Sequence, residues 1–255
     1  HPVDRRQRQM CIRDSNMGYS FHKYWGQTDI TTIQSYINMR NNYGVPLWMG
    51  ESGENSNHWY YEVFKLLEEN NIGWNFWTHK KVDKITSPYS ALVTPQYQVI
   101  IDYLRGAIAQ PDPNIAGMGL TSFANSLKIE NCITRPGVIA SLTDPEYGEI
   151  SKPYTTHSIP GTIPAAYYDI GARGLSYSDS DYWNDGDGGY NDGWVFRNDG
   201  VDVEGSDDDP NIPYTVGWTE AGEWLGYTID DVSPGTYEVS FCLLYTSDAA
   251  DDQLG

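Results

Sequence analysis

Residues 46–77 read PLWMGESGENSNHWYYEVFKLLEENNIGWNFW, and this stretch decides the fold class. It opens on a short apolar run, 46–50, that ends in glycine and suits a strand buried on both faces. A helix is predicted over 59–70, where Tyr60, Val63, Phe64 and Leu67 recur at three-to-four spacing on one stripe. A second apolar run, 73–77, predicts another strand. Strand, helix and strand in this order form a parallel βαβ unit, because parallel strands need a crossover long enough to hold a helix.

The pattern extends in both directions. Residues 17–25 (MGYSFHKYW) read as a preceding strand, and 30–42 as a helix with Ile33, Tyr36, Ile37 and Arg40 on one face and Asp29 as its N-cap. A third helix over 97–104 presents Tyr97, Ile100, Ile101 and Leu104. Three successive βα units within 16–106 predict a parallel α/β architecture. Residues 107–158 read as a connecting segment with limited structure of its own, apart from a helical patch at 123–129. From 159 to 241 Gly, Asp, Tyr and Trp dominate, and alternating runs such as 223–229 (EWLGYTI) and 236–241 (TYEVSF) are separated by turn signals. That composition predicts an all-β module, so the expected fold class is α/β plus all-β.

Composition narrows the partners. The chain has 255 residues, 39% of them hydrophobic, which is enough for a packed core. No run of eighteen apolar residues occurs, so no segment reads as membrane-spanning. Sixteen Lys and Arg against 35 Asp and Glu give a formal charge of −19, a field that repels phosphate backbones and argues against nucleic acid. Nine Trp and 20 Tyr in so acidic a chain suit flat, neutral, hydroxyl-rich ligands such as sugars.

The two ends require separate treatment. RRQRQMCIRDS (5–15) and CLLYTSDAADD (242–252) back-translate to one DNA segment read in opposite orientations. That segment resembles the transposase adapter of short-read sequencing libraries, so 1–15 and 242–255 are expected to be non-native. The basic run Arg5, Arg6, Arg8 then carries no nucleic-acid meaning, and Cys132 remains as the one native cysteine, with no disulfide framework. Residues 5–15 and 242–252 hold four basic and four acidic residues, so the charge balance is unaffected by them. The natural protein is expected to continue beyond both ends.

In parallel α/β folds the chemistry collects where strands end. His22 and Tyr24 lie two apart at the end of the first strand and so point to one side. Glu51 directly follows the second strand, and Trp77 closes the third. A carboxylate beside a tyrosine donor and an aromatic platform is what glycoside cleavage needs: the carboxylate attacks the anomeric carbon, the phenol holds it, and the indole stacks on the sugar. A Glu after a strand also serves as a cap or a solvated turn residue. Glu54 suits a contact near the site or loop solvation, His79, Lys80 and Lys81 a solvated basic loop ahead of a subsite lining, and His58 and Trp59 either helix-start packing or ligand contact.

These residues carry a resemblance. Residues 17–106 resemble the last three βα units of glycoside hydrolase family 5, a retaining (β/α)8 barrel of the cellulase type. FHKYW is similar to the end of that family's sixth strand, implying His22 and Tyr24 as substrate and nucleophile contacts. WMGES is similar to the seventh, implying Glu51 as catalytic nucleophile, and GWNFW to the eighth, implying Trp77 as stacking platform. The family's general acid/base is the Glu of an Asn-Glu dipeptide ending the fourth strand, and no such dipeptide occurs in this chain. With that proton donor and the first five strands absent, the chain as written is expected to be inactive as a hydrolase. Three βα units leave sheet edges and an apolar face open, so aggregation, or folding of the β module alone, is expected.

The β module resembles carbohydrate-binding module family 6, a β-sandwich, through GVDVE (200–204) and VGWTEAGEWLGYTI (216–229). The resemblance implies Phe196 as a sugar-stacking ring, with Tyr190 and Trp194 as further candidates, in a cleft whose second aromatic lies past the chain end. It also implies Glu204 as a ligand of a structural calcium ion, although Ala166 stands where the family's opening strand supplies a Glu. The Asp-rich stretch 179–209 otherwise reads as solvated acidic loops. Trp224 is expected on the core face by the alternation of EWLGYTI. Taken together, the resemblances imply a fragment of a secreted, monomeric, retaining endo-β-glycanase acting on a polysaccharide, β-1,4-glucan first among the candidates, without a catalytic cofactor. The alternative is a non-catalytic carbohydrate-binding protein.

Overall fold

Strands β1 (Tyr19–His22), β2 (Leu47–Glu51) and β3 (Gly73–Trp74) pair in parallel in chain order in the computed structural model. The structure describes residues 17–186 and 189–243, so the adapter-like ends lie outside the described residues apart from Cys242 and Leu243. Helix α1 (Gln34–Tyr43) follows a 3-10 turn at Ile30–Thr32, and α2 (Asn57–Glu69) follows β2. The caps explain where the helical segments start: Asp29 Oδ1 accepts from the Thr31 amide at 2.7 Å, and Ser56 Oγ from the Trp59 amide at 3.3 Å. The predicted stripe of α2 is the core face. Tyr60, Val63, Phe64 and Leu67 are buried with Phe21, Ile33, Met49 and Trp59, and Val138 of a later helix joins the same cluster.

Strand β2 departs from its expected double burial. Leu47 and Met49 are buried on the helix side, whereas Trp48 is 44% exposed on the other. An apolar run cannot tell which faces have a cover, and among the described residues only one does.

Residues 107–158 hold more structure than their prolines suggest. Strands β4 (Lys80–Val82) and β5 (Tyr89–Ala91) run parallel, and β6 (Ile133–Thr134) joins β5 antiparallel. Helix α3 (Pro95–Leu104) buries no residue and packs against α4 (Pro113–Ser126), with Tyr97 stacked on Phe123 at 4.1 Å. Helix α5 (Pro136–Thr143) packs on α2. Pro95, Pro113 and Pro136 each occupy the first turn of a helix, where the missing amide costs nothing.

The β module consists of short ladders. Strand β7 (Ser158–Ile159) pairs parallel with β12 (Asp231–Val232). The antiparallel pairs are β8 (Tyr177–Ser178) with β11 (Trp224–Leu225), and β9 (Val203–Gly205) with β10 (Tyr214–Val216). Ala166, Tyr168, Tyr177, Val201 and Val203 form the buried centre. Two expectations fail in this module. Leu225 sits opposite the buried Tyr177 and packs on the core, so its neighbour Trp224 faces outward at 43% exposure. Residues 236–241 form no strand, and Val239 and Phe241 stand exposed, because no described segment offers them a ladder.

Candidate functional site

Glu51 lies where β1 and β2 end side by side, with His22 as its cross-strand partner. The Lys23 amide donates to the Glu51 carbonyl at 3.1 Å, so the two backbones stay joined past the strands while their side chains converge. Tyr24 Oη donates to Glu51 Oε2 at 2.8 Å, and His22 Nδ1 stands 3.4 Å from the same oxygen. Burial, and then the bond to Glu51, push the Tyr24 phenol well above its ordinary range, so it remains a donor at every working pH. Both the His22 and the Glu51 side chain remain open to solvent, at 52% and 34% exposure.

Two glycines make this convergence fit. A Cβ on Gly50 would lie 2.6 Å from Ser20 Oγ and 3.2 Å from His22 Nε2, so a side chain there would displace Ser20 and crowd the histidine. A Cβ on Gly53 would collide with the Trp77 carbonyl oxygen. The loop after Glu51 can therefore run against the segment carrying Trp77, whose amide donates to the Ser52 carbonyl at 2.7 Å. Trp77 itself is 51% exposed. Three residues named from the sequence, His22, Tyr24 and Glu51, are thus brought together where β1 and β2 end, and the backbone of the fourth, Trp77, is bonded to the loop after Glu51.

The neighbouring candidates resolve into structural roles. Glu54 pairs with Lys81 Nζ at 2.7 Å. His58 Nε2 lies 3.2 Å from Glu62, its Nδ1 accepts from the Arg173 amide at 3.3 Å, and Trp59 is fully buried. His58 and Trp59 therefore serve packing and helix-start anchoring.

The aromatic candidates of the β module lie elsewhere. Phe196 stacks on Tyr214 at 4.2 Å and meets Tyr154 edge-on at 5.5 Å. With Trp194 and Arg135 these rings line a cleft of about 420 Å³. Arg135 Nη1 donates to the Phe196 carbonyl at 2.8 Å and Nε to Ser90 Oγ at 2.9 Å. Tyr190 is buried to 1% exposure against Trp194, so its ring offers no face to a sugar, contrary to its expected role.

Glu204 sits in β9 opposite Thr215. Among the described residues no three His, Cys, Asp or Glu side chains group where they could hold a metal ion. Residues 187 and 188 of the acidic stretch lie outside the described residues. Part of that stretch is not solvated as expected. Burial, followed by neighbouring carboxylates, pushes Asp179 up to about 6 and Asp202 up to about 7.

A further group has no motif to announce it. Asn55, Ser56 and Asn57, the last residues of the loop after Glu51 and the first of α2, are buried against the module turn 197–200. Asn57 Nδ2 donates to Asp199 Oδ1 at 2.6 Å, and the Asn57 amide to the Asn198 carbonyl at 2.8 Å. Asn198 Nδ2 donates to the Asn55 carbonyl at 2.7 Å. Asp199 also receives Arg197 Nε at 2.7 Å and Tyr168 Oη at 3.1 Å. The α/β part and the β module thus meet through a buried polar layer at the foot of the Glu51 loop. Comparison with known protein families, with curated proteins and with solved structures gives no match for this chain.

Proposed function

We propose that this chain is the nucleophile-bearing piece of a secreted retaining endo-β-glycanase of the glycoside hydrolase family 5 type, followed by a carbohydrate-binding module of family 6 type. The observation that carries this reading is the convergence of Tyr24 and His22 on one oxygen of Glu51, with the exposed Trp77 on the segment bonded to the loop after Glu51. With Oε2 held, Oε1 is the oxygen that attacks the anomeric carbon. A C–O bond to Glu51 forms as the glycosidic C–O bond breaks, and its electron pair leaves with the departing oxygen. Tyr24 orients the carboxylate, His22 flanks it, and Trp77 stacks on the sugar next to the cleaved bond. Release of the sugar then takes a water and a base.

The missing half of the site has a structural counterpart. Purely parallel sheets are ordinarily covered on both faces. Here Ser20 and Trp48 point out of a face left open among the described residues, which fits a sheet built to continue into a larger barrel. No Asn-Glu dipeptide supplies the proton that a sugar leaving group needs. The chain as written therefore attacks only substrates whose leaving group departs without one, and leaves polysaccharide intact. A neutral β-1,4-glucan is the preferred polymer, the parent acts as a monomer, and no catalytic cofactor enters.

The test is trapping of the full chain with 2,4-dinitrophenyl 2-deoxy-2-fluoro-β-cellobioside. Dinitrophenolate leaves without a proton, and the fluorine slows breakdown of the glycosyl-enzyme. The expected result is one adduct on the peptide containing Glu51, absent in Glu51→Gln. An adduct elsewhere, or none, contradicts the assignment. The absent acid/base also favours a second reading, a carbohydrate-binding protein without catalysis. That reading predicts retardation in native gels containing glucan, mannan or xylan together with no adduct.

A further inference from the structure

We propose that the β module is a structural part of the Glu51 site: it holds Asn55, and Asn55 in turn positions Tyr24. This rests on the reading of Glu51 as nucleophile and adds positioning residues that neither resemblance implies.

Asn55 is fully buried and every polar atom it has is engaged. Its amide donates to Tyr60 Oη at 2.9 Å, and its carbonyl accepts from Asn198 Nδ2 at 2.7 Å. Side-chain Nδ2 donates to the Tyr24 carbonyl and to the Asn184 carbonyl, both at 2.9 Å. Side-chain Oδ1 accepts from the Asn184 amide and from the Ser56 amide, both at 2.9 Å. An asparagine side chain has two donors and two acceptor positions, and all four are in use. Three of these bonds come from residues 129 or 143 positions downstream, in the β module.

Geometry inside such a network is set closely, because a buried amide left unpaired loses its full solvation. The Asn55 bond to Tyr24 lies on the backbone of the residue whose phenol holds Glu51 Oε2 at 2.8 Å. The chain of contacts therefore runs from Asn198 and Asn184 through Asn55 to Tyr24 and Glu51. Without the module, Asn55 keeps Tyr60 and Ser56 but loses the partners that fix its side chain from outside. The loop after Glu51 and the backbone of Tyr24 then loosen together.

The test compares hydrogen exchange and trapping in four full-length proteins: the unmodified chain, Asn198→Ala, Asn55→Asp and Tyr168→Phe. Asn198→Ala cuts the module's side-chain bonds to Asn55 and Asn57, and Asn55→Asp removes the donor to Tyr24 from the loop side. Tyr168→Phe weakens the module at Asp199 without touching Asn55, and is the control. In both asparagine variants exchange is expected to rise about tenfold in peptides covering 22–25 and 51–57, relative to 95–126. The trapping rate at Glu51 is expected to fall about tenfold. The fall should lie in the limiting trapping rate and not in the probe concentration at half-saturation, because a misoriented carboxylate attacks poorly while the bound probe is held as before. Tyr168→Phe should show neither effect. Unchanged exchange at 22–25, an equal rise at 95–126, or the same changes in Tyr168→Phe overturns the proposal. If the unmodified chain forms no adduct, the reading of Glu51 falls, and the exchange comparison alone decides whether the module holds the loop.

Discussion

Deleting the Asp199 side chain tests whether the α/β part and the β module are joined as described. Its carboxylate and the Arg197 guanidinium form an ion pair at 2.7 Å, with the two side chains only 3% and 5% exposed. The carboxylate also receives Tyr168 Oη at 3.1 Å and Asn57 Nδ2 at 2.6 Å, the latter from the other part of the chain. In Asp199→Ala the Arg197 charge stays buried, held only by the Tyr168 and Asp169 carbonyls and the faces of Tyr168 and Tyr154. Breaking a buried pair from one side costs about 3–5 kcal/mol. Two further donors are orphaned here, so the upper half of that range, about 4–5 kcal/mol, is expected. For a chain of this size that lowers the melting temperature by roughly 10–15 °C. The assay is urea unfolding followed by tryptophan fluorescence and far-ultraviolet circular dichroism. The double variant Arg197→Met/Asp199→Leu should regain most of the loss, because no charge is then stranded. A cost for Asp199→Ala below about 1 kcal/mol, the value of a solvated pair, would refute the buried junction. So would a double variant no more stable than the single one.

Two further perturbations follow from the same geometry. Asp179 and Asp202 titrate at about 6 and about 7 in the folded chain, against about 3.9 when unfolded, so protonation favours folding. Their contribution is fully present below about pH 4 and is lost as pH rises through 6 to 7, so the urea midpoint should fall between pH 5 and pH 8. Asp202→Asn should flatten that fall, and an unchanged slope would contradict the burial of this acid. Asp144, held below the usual carboxylate range by its bond to Lys152, acts with the opposite sign at lower pH. In β11, Leu225→Ala should cost about 2 kcal/mol or more and Trp224→Ala less than about 1, measured by the same unfolding assay; the reverse order would restore the phase expected from the sequence.

Much of the α/β part was legible because its signals are local. The stripe of α2, the Asp29 cap and the parallel order of the first three strands all rest on spacing within a few turns. Glu51, Tyr24, His22 and Trp77 were legible for the same reason, since each stands at or near a predicted strand end. What escaped the reading depends on distant partners. Whether Trp48 is covered, and which side of β11 faces inward, is decided by neighbours far along the chain. Within 107–158, expected to hold limited structure, Pro113 and Pro136 start helices, and Asp112, which caps α4 by accepting from the Asn114 amide at 2.8 Å, was the available signal. Asn55 and Asn198 meet across 143 positions, and no spacing rule foretells that contact.

The most direct test of the central claim is a long read of the source DNA across both ends of this reading frame. If the chain is the nucleophile-bearing piece of a retaining glycanase, the adapter-like codons are absent from that DNA. The frame then continues upstream of residue 16 through five further βα units, the fourth strand ending in Asn-Glu. A natural frame that begins near residue 16, with no upstream barrel, would contradict the assignment of Glu51 as a catalytic nucleophile.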